Sequence, residues 1–295
     1  MAVKGLSIPV FGHYNYNSAT GKVTYSGGMI NPHAIEYTLT PESTDNNPLY
    51  GDNQIIENDV PRFNGATLSL GIDDIVQEVA EFVLGVKVIN MQYGADKTVK
   101  VTVYDDEQTP PFLGVGIIEE HQLDDVNHYK AVIMCKAQFN NPEATATTRG
   151  ESIEWQTKTI EGNVTRSDAT GEDGVHPWKT GAWFDSEADA IEYLKYMLGV
   201  GTLGALTIQS AAGTAEGKTK ITVTPEKTGT NVYYYQLGTS LQLPEYNEDC
   251  SGMTEWDGTE EIAAESGQQI LIVECEGTNA RAAGIQTVTT NGGTE

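Results

Sequence analysis

The chain has 295 residues, of which 39% are hydrophobic and 8% aromatic, enough for packed cores and for two domains. Its 42 acidic residues against 17 basic ones give a net charge of −25. That excludes nucleic-acid binding by phosphate neutralisation, which takes clustered Lys and Arg. No run approaches the roughly 18 apolar residues of a membrane-spanning helix, and Met1–Val10 holds no apolar stretch of secretory-signal length, so we expect a cytosolically made product. The odd count of cysteines, Cys135, Cys250 and Cys275, then predicts reduced thiols, with a Cys250–Cys275 pair in an outer domain as the alternative. The acidity runs through both halves, since residues 202–295 hold 4 basic and 13 acidic groups.

Thirty-one glycines and eleven prolines predict many turns and short strands. Residues 3–39 read as strands, with Val23-Thr24-Tyr25 ended by Ser26-Gly27-Gly28 and an alternating run from Ala34 to Leu39. From Thr40 to Gly71 the chain is polar and proline-rich, too long for an ordinary turn. Pro41, Pro48 and Pro61 stiffen it. Asp45, Asn46, Asn47, Gly51, Asp52 and Asn53 carry turn chemistry. Leu49, Tyr50, Ile55, Ile56 and Phe63 are apolar within it and need a surface to pack on, in this subunit or another copy. Fully extended, about 25 residues at ~3.3 Å each reach roughly 80 Å. Ala66–Leu70 alternates again, so the whole predicts a long-armed hairpin.

Asp73–Leu84 has helical spacing at Ile75, Val76, Val79, Ala80, Val83 and Leu84, with Asp73 or Asp74 as cap and Gly85 as stop. Val86–Ile89, Thr98–Tyr104, Leu113–Ile118 and His128–Phe139 read as strands, and Ser152–Lys158 with Glu161–Thr165 as a hairpin. Residues 166–184 form a second polar excursion carrying Trp178 and Trp183. A second helix starts at Ser186, whose pairing with Asp189 resembles a capping box, and stops at Gly199. After a linker over 200–204, strands at 206–208, 220–224, 232–235, 270–275 and 285–289 predict an all-β module of immunoglobulin-like sandwich type, without a Cys–Trp–Cys signature. The acidic gap 238–268 holds Trp256. The predicted fold is therefore mainly β with two short helices: domain 1–201, carrying the long loop 40–71, and domain 202–295.

No catalytic constellation is legible. Gly213-Thr-Ala-Glu-Gly217-Lys218-Thr219 has three residues between its glycines where a phosphate loop needs four, and a strand follows it, so we read a hairpin turn. His121 and His128 flank Asp124-Asp125, a pattern that could hold a metal but reads better as a solvated acidic turn. Asp45-Asn46-Asn47 lacks the glycine and distal Glu of a calcium loop. We expect no catalytic residue, cofactor or metal.

The blocks Asp45–Asn53, Ile56–Asp59 and Gly65–Asp74, then Lys130-Ala131-Val132 to Phe139, Glu143-Ala144-Thr145, Arg149–Trp155 and Thr159–Gly162, resemble the major tail proteins of long-tailed phages of Gram-positive hosts over about residues 1–200. The resemblance implies a β-barrel or sandwich domain that forms hexameric rings stacked into a tail tube. It also implies an acidic-lined conduit through which genomic DNA passes, tape-measure, terminator and distal tail proteins as partners, and a virion location. Asp45, Asn47, Pro48, Leu49, Tyr50, Gly51, Asp52, Ile55, Ile56 and Phe63 would then form the subunit-interface loop, and Trp256 an outer-surface contact. The alternative class is a surface adhesin or glycan-binding β-sandwich module, with Trp178, Trp183 and Trp256 as sugar-stacking platforms.

Overall fold

The computed structural model describes residues 2–31, 33–94, 96–148, 157–170 and 174–292. The chain divides into two compact units, Met1–Val23 with Met29–Leu198, and Thr24–Gly28 with Gly199–Glu295. The fold is mainly β with two helices, as composition and patterning predict.

The first unit is built on β1 (Ala2–Asn17), β2 (Lys22–Ile30), β3 (Ala34–Ser43), β4 (Asn47–Gly51), β5 (Gln54–Asp59), β6 (Phe63–Ile72), α1 (Gln77–Leu84), β7 (Lys87–Tyr93), β8 (Lys97–Val103), β9 (Leu113–Leu123), β10 (Val126–Phe139), β11 (Lys158–Thr165), β12 (Lys179–Phe184) and α2 (Glu187–Met197). One sheet runs β2-β1-β9-β10-β11-β6-β3, and β12 joins it on β10. β10 divides its far edge: Tyr129–Met134 pairs with β12 and Lys136–Phe139 with β11. The sheet curls far enough for the Tyr37 hydroxyl on the β3 edge to donate to Glu119 on β9. It does not close into a barrel, because no ladder joins β3 to β1 or β2 among the described residues.

Alternation explains the packing. Leu68, Leu70 and Ile72 of β6, Leu113, Val115 and Ile117 of β9, and Val132, Met134 and Phe139 of β10 point into one core with Phe11, whose ring meets Phe139 edge-on at 6.1 Å. Val79, Ala80, Val83 and Leu84 of α1 enter the same core. Ala190, Leu194 and Leu198 of the α2 segment are also buried. β9 and β10 therefore read as nearly continuous apolar runs, the pattern of strands covered on both faces. Gly116 makes the helix contact possible: a Cβ there would lie 2.7 Å from Leu198 Cδ1 and 2.9 Å from Leu194 Cδ2.

Two boundaries differ from the sequence reading. α1 starts at Gln77 rather than at the aspartates, because Asp73 is taken by His33 at 2.7 Å and Asp74 accepts from Ile75 N; no side chain caps the helix. β2 runs on through Ser26-Gly27-Gly28, with Gly27 at φ +60°, so these glycines bend a strand instead of ending it. Ser186 caps α2, its Oγ accepting from Asp189 N at 3.1 Å; the Asp189 carboxylate accepts from the Ser186 hydroxyl at 2.7 Å, where the full box has it on the backbone N–H. The strand expected over Ser152–Lys158 and the block Arg149–Trp155 fall largely outside the described residues.

The second unit holds β13 (Gly204–Ala205), β14 (Thr207–Ala212), β15 (Lys218–Thr224), β16 (Val232–Gly238), β17 (Thr254–Trp256), β18 (Ile262–Ala263), β19 (Gln269–Glu276) and β20 (Asn279–Thr287). A five-stranded sheet β13-β20-β19-β16-β17 and a three-stranded sheet β14-β15-β18 make a sandwich. Its inner core is Ile208, Ile221, Tyr233, Trp256, Ile262, Ile270 and Ile272. Alternate residues of β19, Leu271, Val273 and Cys275, cluster on the opposite face with Cys250, Ala280 and Leu241. Part of the long acidic gap before β19 covers the second face of the sheet.

Leu194 is fully buried over Gly116. Leu194→Ala should lower unfolding stability by about 2–5 kcal/mol, read from the midpoint of denaturant unfolding.

Candidate functional site: the exposed arm

The segment 40–71 is an ordered β-ribbon. Its stem pairs β3 with β6 from Ala34↔Ile72 to Ser43↔Phe63, and its tip pairs β4 with β5 from Asn47↔Asp59 to Gly51↔Gln54. Between them, Thr44 N donates to Arg62 O at 2.9 Å and Arg62 N to Thr44 Oγ1 at 3.0 Å. Pro41 and Pro48 fit because β3 and β4 are edge strands, where a proline is tolerated, and Pro61 lies between β5 and β6. The tip reverses at Asp52-Asn53, with φ of +49° and +64°; positive φ at both central residues is the two-residue hairpin turn that Asp and Asn tolerate. Asn47 and Gly51, read from sequence as turn formers, lie in strands instead. Doubling the chain back shortens its reach: the tip adds about 17–20 Å beyond the stem at ~3.4 Å per residue.

The tip has no inside. Tyr50 pairs with Ile55 on one face, while on the other the Ile56 side chain covers the backbone of Gly51, where a Cβ would collide with it. Leu49 is 59% exposed, Tyr50 64%, Ile55 57% and Ile56 68%. Of the predicted loop residues, Asp45, Asn47, Pro48, Leu49, Tyr50, Gly51, Asp52, Ile55 and Ile56 come together here. Phe63 does not: it packs on the unit's own core and stacks on Trp178 at 4.3 Å.

A second ribbon, which the sequence reading did not single out, pairs β7 with β8 from Lys87↔Val103 to Tyr93↔Lys97 and joins no other sheet. Ile89, Met91, Tyr93 and Val99 are exposed on it. The alternation of β8 and of β7 from Ile89 onward was the signal that could have revealed it.

The curl of the large sheet gathers a third group from distant positions. Glu119 accepts from Tyr37, lies 3.1 Å from His121 Nε2 and 3.8 Å from Lys130 Nζ, and the Trp183 ring sits edge-on to His121 at 4.7 Å. Burial raises the Glu119 pKa, but the hydrogen bonds from Tyr37 and His121 outweigh it and hold the carboxyl below the usual carboxylate range. Burial, and then the Glu119 partner, push the Tyr37 phenol upward. The group pins the β3 edge to β9. A similar network holds the segment after β11: Lys136 Nζ donates to Asp168 Oδ2 at 2.6 Å and Tyr14 Oη donates to it at 3.0 Å.

The remaining candidates have structural roles. Asp124-Asp125 is the β9–β10 hairpin turn, with φ of +48° and +63°, and His121 and His128 are a cross-strand pair. Among the described residues no His, Cys, Asp and Glu group could hold a metal ion. Residues 213–217 form the β14–β15 turn, where Gly213 N donates to Lys218 O at 2.9 Å and Glu261 accepts from Thr214 N. The three cysteines form no disulfide and are buried; the hydrogen bond with Cys250, and then burial, push the Cys275 thiol pKa upward. Trp256, expected at the outer surface, is 5% exposed, with Nε1 donating to Glu260 O at 2.8 Å. Its ring fills the sandwich core and offers no stacking face. Trp178 is covered by Phe63, which leaves Trp183 as the half-exposed tryptophan of the three. No helix is long and apolar enough to cross a membrane among the described residues.

Residues 211–283 match the S-layer protein SbsC C-terminal domain. The match spans about a quarter of the chain, from the end of β14 into β20, and so describes the sandwich of the second unit. That domain family is of a structural, non-enzymatic kind. No curated protein matches the chain. The match corrects the resemblance to phage major tail proteins: the family that is found belongs to a surface-layer protein, not to a tail tube. The stacked hexameric rings, the acidic genome conduit, the tape-measure, terminator and distal tail partners and the virion location rested on that resemblance and go with it. The acidity of the chain is left as a property of its solvent-facing surface.

Glu119 gains its partners on folding, and a carboxyl held below its ordinary pKa stabilises the fold above that value and stops doing so as pH falls through the folded pKa. Acid unfolding should show a loss of stability below about pH 4.5 that is weaker in Glu119→Gln, followed by thermal melts across pH 2–7. Trp256→Ala should cost about 3–5 kcal/mol, as a core truncation does, seen as a lowered melting temperature of the second unit.

Proposed function

We propose that this chain is a structural protein of a cell surface whose copies associate through the 47–59 arm. The observation that carries the reading is the arm itself: four large apolar side chains on both faces of a two-stranded ribbon that buries neither. Isolated two-stranded hairpins are marginal in water, and exposed apolar clusters on soluble proteins mark interaction sites. The match of residues 211–283 to a surface-layer domain supports the surface location and the structural class. On this reading residues 1–201 form the associating domain, and residues 202–295 are a sandwich module.

The glycan-platform form of the surface reading has less support. It has lost Trp256 and Trp178, and it retains Trp183 with Lys130 Nζ 5.5 Å from its ring.

In sedimentation velocity the full chain should form concentration-dependent assemblies. Leu49→Asp with Tyr50→Asp should leave the circular dichroism spectrum intact and abolish them. Unchanged assembly in that double variant removes the arm from the interface.

A further inference from the structure

We infer that the apolar face of the β7–β8 ribbon is the seat on which the 47–59 arm of a second copy of this chain docks. The inference rests on the reading of the arm as an association element and names its receiving surface.

The register determines the face. Lys87↔Val103, Ile89↔Val101, Met91↔Val99 and Tyr93↔Lys97 lie on one side of the ribbon, and Val88↔Thr102, Asn90↔Lys100 and Gln92↔Thr98 on the other. One side is thus apolar between a lysine at each end and the other mainly polar, the pattern of a sheet that packs on one face. Among the described residues nothing covers the apolar side at Ile89, Met91, Tyr93 and Val99, which are all exposed. The own arm of the chain does not cover it either, since Leu49, Tyr50, Ile55 and Ile56 are exposed in the same unit.

Charge selects the occupant. In a chain with 42 acidic and 17 basic residues, residues 87–103 carry Lys87, Lys97 and Lys100 against one acid, Asp96. Lys87 is held by Asp105 at 2.6 Å, and Lys97 lies over the Tyr93 ring at the end of the apolar face, 5.9 Å from its centroid. The arm, residues 45–59, carries Asp45, Asp52, Glu57 and Asp59 and no base. Lys100 stands on the polar side of the ribbon, so the charge that the apolar side offers an acidic arm is Lys97 at its end. Pairing arm with arm, or seat with seat, would set like charges together, which disfavours the alternative contacts. The sizes also agree: strands of five and six residues in the arm against two of seven in the seat. At ~3.3 Å per residue these are about 17–20 Å and about 23 Å, close enough to stack face to face. The contact is heterologous, so a copy whose seat is filled still offers its arm to the next one.

Complementation tests it in the full-length chain. Leu49→Asp with Tyr50→Asp destroys the arm and keeps the seat; Ile89→Asp with Met91→Asp destroys the seat and keeps the arm. Each variant alone should associate at least about tenfold more weakly than the parent, as loss of a central apolar anchor implies. Mixed in equal amounts, the two should form a one-to-one complex in sedimentation velocity, through the intact arm of one and the intact seat of the other. If the seat variant assembles like the parent while the arm variant does not, the arm reading stands and this seat is wrong. Two monomeric variants whose mixture stays monomeric also overturn it. Should Ile89→Asp with Met91→Asp fail to fold by circular dichroism, charge reversal carries the test. Lys97→Glu, on the apolar side, should weaken association, and Asp52→Lys with Glu57→Lys on the partner copy should restore it; absence of rescue counts against the seat.

Discussion

Two strands held by one ladder have two faces and no interior. That constraint governs the first unit. A large curled sheet satisfies it by rolling its apolar face inward and laying helix α2 over β9 and β10, so its central strands are buried on both sides. The two ribbons that leave this sheet cannot do the same. The stem of the arm is saved because β6 belongs to the large sheet and sends Leu68, Leu70 and Ile72 into the core. Past Thr44 and Arg62 that support ends, and the apolar residues of the tip face solvent.

The second unit meets the constraint by layering. Its five-stranded sheet is covered on one face by the three-stranded sheet and on the other by an acidic, turn-rich segment that includes Cys250 and Met253. This is why β19 can be apolar at every position from Ile270 to Val273 without being a membrane or aggregation hazard. It also explains why Trp256 is a core residue. β17 is a three-residue edge strand whose tryptophan reaches back between the sheets, where Tyr233 meets it at 5.8 Å.

Much of this was legible in residue order. The Ser186 cap, the Gly85 stop, the hairpin turn at 213–217 and the alternating strands on either side of the arm all follow from local backbone preferences, which act over a few residues. What misled was of two kinds. The aspartates before α1 looked like caps, but His33, forty residues away, claims Asp73. The ordered blocks over residues 1–200 resembled a tail protein, whereas the family match that is found concerns residues 211–283 and a surface-layer domain. Blocks of turn and strand chemistry in a given order recur wherever hairpins of similar length are built, so their order alone does not single out a family.

The sequence by itself determined the strand-rich class, the two helices, the long hairpin with its apolar tip and the want of a catalytic motif, because each is written in spacing, composition or turn chemistry over short stretches. Tertiary structure decided which apolar residues are spent internally and which are left over. Phe63 and Trp256 turn inward and Leu49, Tyr50, Ile89 and Met91 do not, and Tyr37, Glu119, His121 and Trp183 meet across the curl of one sheet. Burial depends on what the rest of the chain brings alongside a residue, and that long-range pairing cannot be read from the residue's own neighbours in sequence.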